Sequence, residues 1–136
     1  MHPILPVVRY LILCENVERN PDHPRQVTLA NLVSTIQLGL GYSFPVRHPE
    51  FCVFIQMTEC RGKGRCHIEI VHADTEEVVF RGRDRPISFG HDPLELVGLS
   101  FRIRNCLFSS PGLYWVQFWY NENMIAQQSI VMRGGS

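Results

Sequence analysis

The sequence predicts an all-β fold, an antiparallel β-sandwich of seven or eight strands in a single domain. Three observations predict it. Runs of about six to ten residues rich in Val, Ile, Thr and aromatic side chains recur along the chain, each bounded by Gly, Pro, Asn or Asp. No run carries a sustained helical apolar period. Residues 109–132, SSPGLYWVQFWYNENMIAQQSIVM, read as a closing hairpin: Pro111-Gly112 sets the first turn, and the tip Asn121-Glu122-Asn123 tolerates the dihedrals of a tight reversal.

The elements follow in order. Residues 7–14 form a first strand, in which Val8, Tyr10 and Ile12 alternate with Arg9, Leu11 and Leu13. Residues 15–26, rich in Asn, Pro, Asp, His and Arg, are a polar connection. Residues 27–38, VTLANLVSTIQL, give a second strand, because their Thr, Val and Ile content suits a sheet; a helix over the same run is the competing reading. Two glycines and two prolines make residues 39–50 a loop.

Residues 51–60 form a third strand with Phe51, Val53, Ile55 and Met57 on one face and Cys52, Phe54, Gln56 and Thr58 on the other. The glycines of 61–65, RGKGR, make a hairpin loop that returns as a fourth strand over 66–73, with Ile68 and Ile70 opposite Glu69 and Val71. Asp74-Thr75 turns the chain into a short strand at 76–80, and a basic segment punctuated by Gly and Pro, RGRDRPISFGHDP, follows. The strand at 96–106 points Leu99, Phe101 and Ile103 inward and Ser100, Arg102 and Arg104 outward. In the closing hairpin Tyr114, Val116, Phe118 and Tyr120 line the core face, while Trp115, Gln117 and Trp119 share the other. The domain then spans residues 1–133, and 134–136 are a tail.

Composition narrows the function classes. A 136-residue chain that is 45% hydrophobic has ample material for one core, and nothing in it marks a linker. Thirteen basic residues balance thirteen acidic ones, so no global field selects nucleic acid or an anionic membrane, and association with itself or a partner is eased. The start, MHPILPVVRYLILC, has no basic lead or small-residue cleavage site, and no stretch approaches the roughly 18–20 apolar residues that span a bilayer. The expected location is therefore the cytoplasm. An odd number of cysteines, five, fits reduced thiols used as small buried hydrophobes.

Candidate chemistry is sparse. Cys60, Cys66, His67 and His72 crowd together, but adjacent strand residues project to opposite faces, so Cys66 and His67 cannot share an ion and no metal is expected. A cross-strand Cys60–Cys66 disulfide over the five-residue loop is geometrically open, though unusual in a reducing compartment. His91-Asp92 beside Ser88, and Cys106 with a distant histidine, carry no recognised nucleophile signature; no P-loop, G-x-G-x-x-G, nucleophile elbow or H-E-x-x-H occurs, so neither enzymatic activity nor a cofactor is expected. Arg61, Lys63, Arg65, Arg81 and Arg83 could meet an anion at the Gly-rich loops, yet neighbouring acidic residues nearly neutralise them, and nucleic acid is not the expected partner.

The strongest lead is the face of Trp115, Gln117 and Trp119, too aromatic for a routine solvent face. Two tryptophans two pleats apart, roughly 13 Å along the strand, could anchor a protein partner or stack sugar rings. Arg102 and Arg104, on the preceding strand, are expected to pair alongside and cover the indoles, which offers a purely structural explanation of the same residues.

Several short motifs resemble a family of small bacterial proteins of unknown function. They are the apolar first strand ending in a polar break, the VTLANL run from Val27, and Phe44-Pro45. Ala73-Asp74-Thr75 between two strands and Pro111-Gly112-x-Tyr114 complete the set. The resemblance covers most of the chain and implies an immunoglobulin-like sandwich with no assigned activity; it says nothing about CRGKGRCHIEI or FRIRNC. The expected function is a non-enzymatic protein-interaction module that self-associates, with a small-ligand module, for sugar or phosphate, as the rival.

Overall fold

The computed structural model describes residues 5–134 and arranges them as ten strands in two sheets. Strands β1 (Val7–Arg19), β2 (Val27–Leu32), β4 (Val46–Thr58) and β8 (Val97–Phe108) form a four-stranded sheet in the order β2-β1-β4-β8. The other sheet holds β3 (Thr35–Gln37), β5 (Lys63–His72), β6 (Val78–Arg81), β9 (Gly112–Tyr120) and β10 (Asn123–Arg133). Its order is β3-β10-β9-β5-β6, with β7 (Arg85–Ser88) also on β5. No helix among the described residues is long and apolar enough to cross a membrane.

The core lies between the inner faces, and period-2 alternation selects it. Phe51, Val53, Ile55 and Met57 of β4 meet Tyr114, Val116, Phe118 and Tyr120 of β9, all 0–2% exposed. Leu11, Leu13, Ile68, Ile70, Leu99, Ile103, Phe108, Ile130 and Met132 join it, with Cys60, Cys66 and Cys106. Tyr114 also ties the corner before its own strand: its hydroxyl donates to the Ser110 carbonyl at 2.6 Å and accepts the Ser110 N–H at 3.2 Å, the tyrosine corner that recurs in sandwiches.

Several expectations are corrected. The run 27–38 contains no helix and is not one strand. It switches sheets: Val33 N–H still bonds the Leu13 carbonyl of β1 (2.8 Å), while the Ser34 carbonyl accepts from Val131 of β10 (3.0 Å). Beyond the switch β3 runs parallel to β10, the exception in an otherwise antiparallel fold. The loop expected at 39–50 is shorter, because β4 starts at Val46, after a cis Phe44–Pro45 bond. The segment 61–65 is not a hairpin loop. β4 and β5 lie in different sheets, so the chain there crosses the sandwich, with Glu59 (φ 57°) and Gly62 (φ 69°) making the corner. The basic segment after Phe80 contains a strand, β7, which sits on the same flank of β5 as β6, so the two read as one edge strand broken at residues 82–84. Gly134 is held rather than loose, its carbonyl accepting from Gln37 Nε2 at 2.9 Å; residues 135 and 136 lie outside the described residues, as do residues 1–4.

The polar connection also shrinks, since β1 runs on to Arg19. Past Cys14 it leaves β4 and pairs only with β2. This hairpin reaches over the outer face of the four-stranded sheet. Cys52 Sγ donates to the Glu15 carbonyl (3.6 Å), Arg102 Nη2 to Asn16 Oδ1 (3.5 Å), and Arg19 Nη2 to the Gly98 carbonyl (3.2 Å). The cover explains why Cys14, Cys52 and Phe54, which alternation turns away from the core, are only 0, 2 and 6% exposed.

Candidate functional site

Sheet register builds the outer face of the six-stranded sheet row by row. Leu113 lies opposite Val131; Trp115 lies between Val71 and Ser129; Gln117 lies between Glu69 and Gln127; Trp119 lies between His67 and Met124. Leu113, Trp115, Gln117, Trp119, Val71 and Val131 are all half-buried. Trp119 Nε1 donates to Gln117 Oε1 at 3.1 Å, and Gln117 Nε2 donates to Gln127 Oε1 at 3.3 Å. The Trp119 ring stacks nearly parallel to the His67 ring, with centroids 5.9 Å apart and planes at 10°.

His67 is the group that strand alternation alone did not single out. It is 7% exposed, with Nε2 at 2.7 Å from Glu69 Oε2 and Nδ1 at 3.3 Å from Asp84 Oδ1. Carboxylates on both edges and an indole on one face leave it one orientation. The hint in the sequence was the register: a β5–β9 pairing that sets Cys66 beside Tyr120 necessarily sets His67 beside Trp119.

Arg102 and Arg104 do not join this face. β8 belongs to the four-stranded sheet, so both arginines point outward on the opposite side of the sandwich from the tryptophans. Neither the Arg/Trp ladder nor a composite Arg/Trp surface exists. Both arginines instead converge on Glu50, directly opposite Arg104 on β4: Arg102 Nη1 donates to Glu50 Oε1 at 2.7 Å and Arg104 Nε to the same oxygen at 3.3 Å. The Arg102 hydrogen bond, helped by Arg104, holds the Glu50 carboxyl below its ordinary range. Consecutive strands on either side of the chain reversal at 109–112 need not be neighbours in a sandwich, and here they are not.

The other cations spread out. Arg65 and Arg81 line one small cleft together with His67 and Asp84. Lys63 shares another cleft beside β7 with Arg65, Arg83 lies by the break between β6 and β7, and Arg61 lines none of these, so the five cations are not gathered at one place. Among the described residues no three His, Cys, Asp or Glu side chains are grouped to hold a metal. All five cysteines are free and buried; Cys60 and Cys66 both lie in the core, without the disulfide left open above. His72 is structural, its Nδ1 accepting the N–H groups of Asp74 (3.1 Å) and Thr75 (3.3 Å). Asp92 Oδ1 accepts the Leu94 N–H at 2.9 Å, as turn chemistry requires, and burial pushes the Cys106 thiol up to about 12.

Sequence reasoning also missed a cleft of about 590 Å³ between the β1–β2 hairpin and the 92–96 loop. Phe54 and Gln56 lie at its base, Leu94 and Leu96 on its wall, and Arg25 and Glu95 meet at its rim (3.3 Å). It forms only because the hairpin folds over the sheet, an arrangement without a local signal.

The fold and this face define a two-sheet β-sandwich that presents an aromatic sheet face. Residues 9–133 match the group described as Family of unknown function (DUF6941), and the chain belongs to that family. No curated protein matches it. Among solved structures it is similar to part of a β-glucosidase from Listeria innocua in complex with glucose (13% identity, TM-score 0.49, 76% of this chain and 15% of that one). It is also similar to part of the Pseudomonas fluorescens alkylpurine DNA glycosylase AlkC bound to DNA containing an abasic site analog (9%, TM-score 0.44, 90% and 30%). A β-glucosidase from Erythrobacter marinus gives 14% identity and a TM-score of 0.38, over 71% of this chain and 14% of that one. The chain thus spans less than a third of each of these proteins.

Proposed function

We propose that this protein is a non-enzymatic interaction module that pairs with a second copy of itself through the outer face of the six-stranded sheet. The observation that carries this is the row of half-buried apolar side chains, Leu113, Val131, Trp115, Val71 and Trp119, in which Trp119 is fixed by its hydrogen bond to Gln117 and its stack on His67. Such side chains have already lost most of their rotamer freedom, so association costs little further ordering. Tryptophans in a preformed patch are the residues that dominate interface energies. Glu69, in the middle row, favours a two-fold axis along β9: each Glu69 then meets the partner's β10 side, not a second Glu69. The tyrosine corner supports an immunoglobulin-like sandwich, and the five free thiols support a reducing, cytoplasmic setting.

Sedimentation velocity over a wide concentration range tests the reading. The wild type is expected to move from monomer to dimer, and Trp115→Ala with Trp119→Ala to weaken the dimer at least about 30-fold, two interface anchors being worth about 2 kcal/mol or more. A wild type that stays monomeric at millimolar concentration would sink it. The second reading, a sugar stacked on Trp115 and Trp119, is favoured by the amide row between them. It predicts indole fluorescence changes with soluble glucans and no change in sedimentation.

A further inference from the structure

Along one flank of the sandwich the two sheets end in strands that do not pair with each other. On the four-stranded side the edge is β8; on the six-stranded side it is the interrupted edge β6 and β7. At the interruption, residues 82–84, a cavity of about 390 Å³ opens between the sheets. Its floor comes from both layers: Ile68 and Ile103, 1 and 2% exposed, with Phe80 and Phe101 half-buried beside them. Its mouth carries Arg83, Asp84, Arg85 and Arg102.

The charges at the mouth can be assigned one by one. Arg102 is matched by Glu50 at 2.7 Å. Asp84 faces the His67 ring at 3.3 Å. Arg85 gives one donor, Nη1, to the Ser100 carbonyl of β8 at 3.0 Å, and its guanidinium carbon sits 5.3 Å from the centre of the Phe101 ring. Among the described residues Arg83 makes no side-chain hydrogen bond or ion pair, and Arg85 none to a carboxylate. Two guanidiniums with open donors thus stand over an apolar floor, and after Asp84 is counted the mouth carries one net positive charge. A neutral occupant would bury the floor and leave the forks unused, whereas a carboxylate matches the fork geometry and a single negative charge matches the balance. The volume lies within the usual range of small-molecule sites.

We propose that this flank binds an amphipathic monoanion, a medium-chain carboxylate. Its chain seats between the sheets on Ile68, Phe80, Phe101 and Ile103, and its head is held by Arg83 and Arg85. The site is separate from the tryptophan face and does not depend on dimer formation.

Calorimetric titration of the full chain with decanoate, hexanoate, acetate, decanol and decyl phosphate, all below micelle formation, tests it. Decanoate is expected to bind saturably at one site per chain. Affinity should fall about fourfold for each buried methylene removed, and decanol should bind at least about tenfold more weakly. Arg83→Gln, which leaves the Arg85–Ser100 bridge in place, should weaken decanoate several-fold with unliganded melting unchanged, and Arg83→Gln with Arg85→Gln should weaken it at least about tenfold. Methyl NOEs from decanoate should reach Ile68 and Ile103. Decanol binding as well as decanoate, loss of neither arginine mattering, or NOEs to Leu113 and Val131 instead would overturn the proposal. Decyl phosphate binding more tightly than decanoate would overturn the choice of a carboxylate.

Discussion

Glu50 sits on the outer face of β4 and takes hydrogen bonds from two arginines of its neighbour strand. With its folded-state pKa held below the unfolded value of 4.5, chiefly by Arg102, the unfolded chain takes up the proton first as pH falls. The Arg102–Glu50 contribution is therefore present above about pH 4.5 and disappears as pH drops through the folded value. Urea midpoints should show wild type more stable than Glu50→Gln at neutral pH, with the gap closing as pH falls through the lowered folded-state value of Glu50. A constant gap would place the effect in packing. At this scale alternation made the tryptophan face and the core face legible, since each needs only strand periodicity. The partners of Arg102 and His67 were not legible, because a side chain's partner comes from strands distant in sequence.

At the level of elements, the β9–β10 hairpin is the best-specified part of the chain. Pairing of Tyr120 with Asn123 leaves a two-residue turn, and both its residues, Asn121 (φ 45°) and Glu122 (φ 67°), lie in the left-handed region. Asn tolerates that region; Glu does so at a cost of about 1–2 kcal/mol. Glu122→Gly should stabilise the protein by about 0.5–1 kcal/mol after the added unfolded-state entropy of glycine is subtracted, read as a raised melting temperature. The hairpin was readable because turn and strands are contiguous. The crossing from β4 to β5 was misread because its glycines and left-handed residues serve a corner between sheets as well as they serve a hairpin. The switch within 27–38 was hidden for a related reason, as an unbroken run of strand formers can serve two sheets.

Across the whole molecule, the two sheets and the folded-over hairpin together bury every cysteine to 3% exposure or less. Burial raises the thiols of Cys14 and Cys60, moves Cys66 to about 11 and takes Cys106 to about 12. Those four thiols carry little thiolate near about pH 8 and Cys52 is shielded by burial at 2% exposure, so an aromatic disulfide reagent should find no fast-reacting thiol in the native protein and five in guanidinium chloride. A fast thiol in the native state would mark local opening of the hairpin over Cys14 and Cys52.

What the sequence determined by itself was the all-β class, the strand faces that make the core, and the closing turn, because each follows from neighbours within a few residues. Tertiary structure decided which sheet each strand entered. Backbone hydrogen bonds between strands are chemically alike at every pairing, so the choice of partner rests on how two whole inner faces fill one core. That choice parted Arg102 and Arg104 from the tryptophans, set His67 against Trp119, and left the flank between β8 and β6–β7 unpaired.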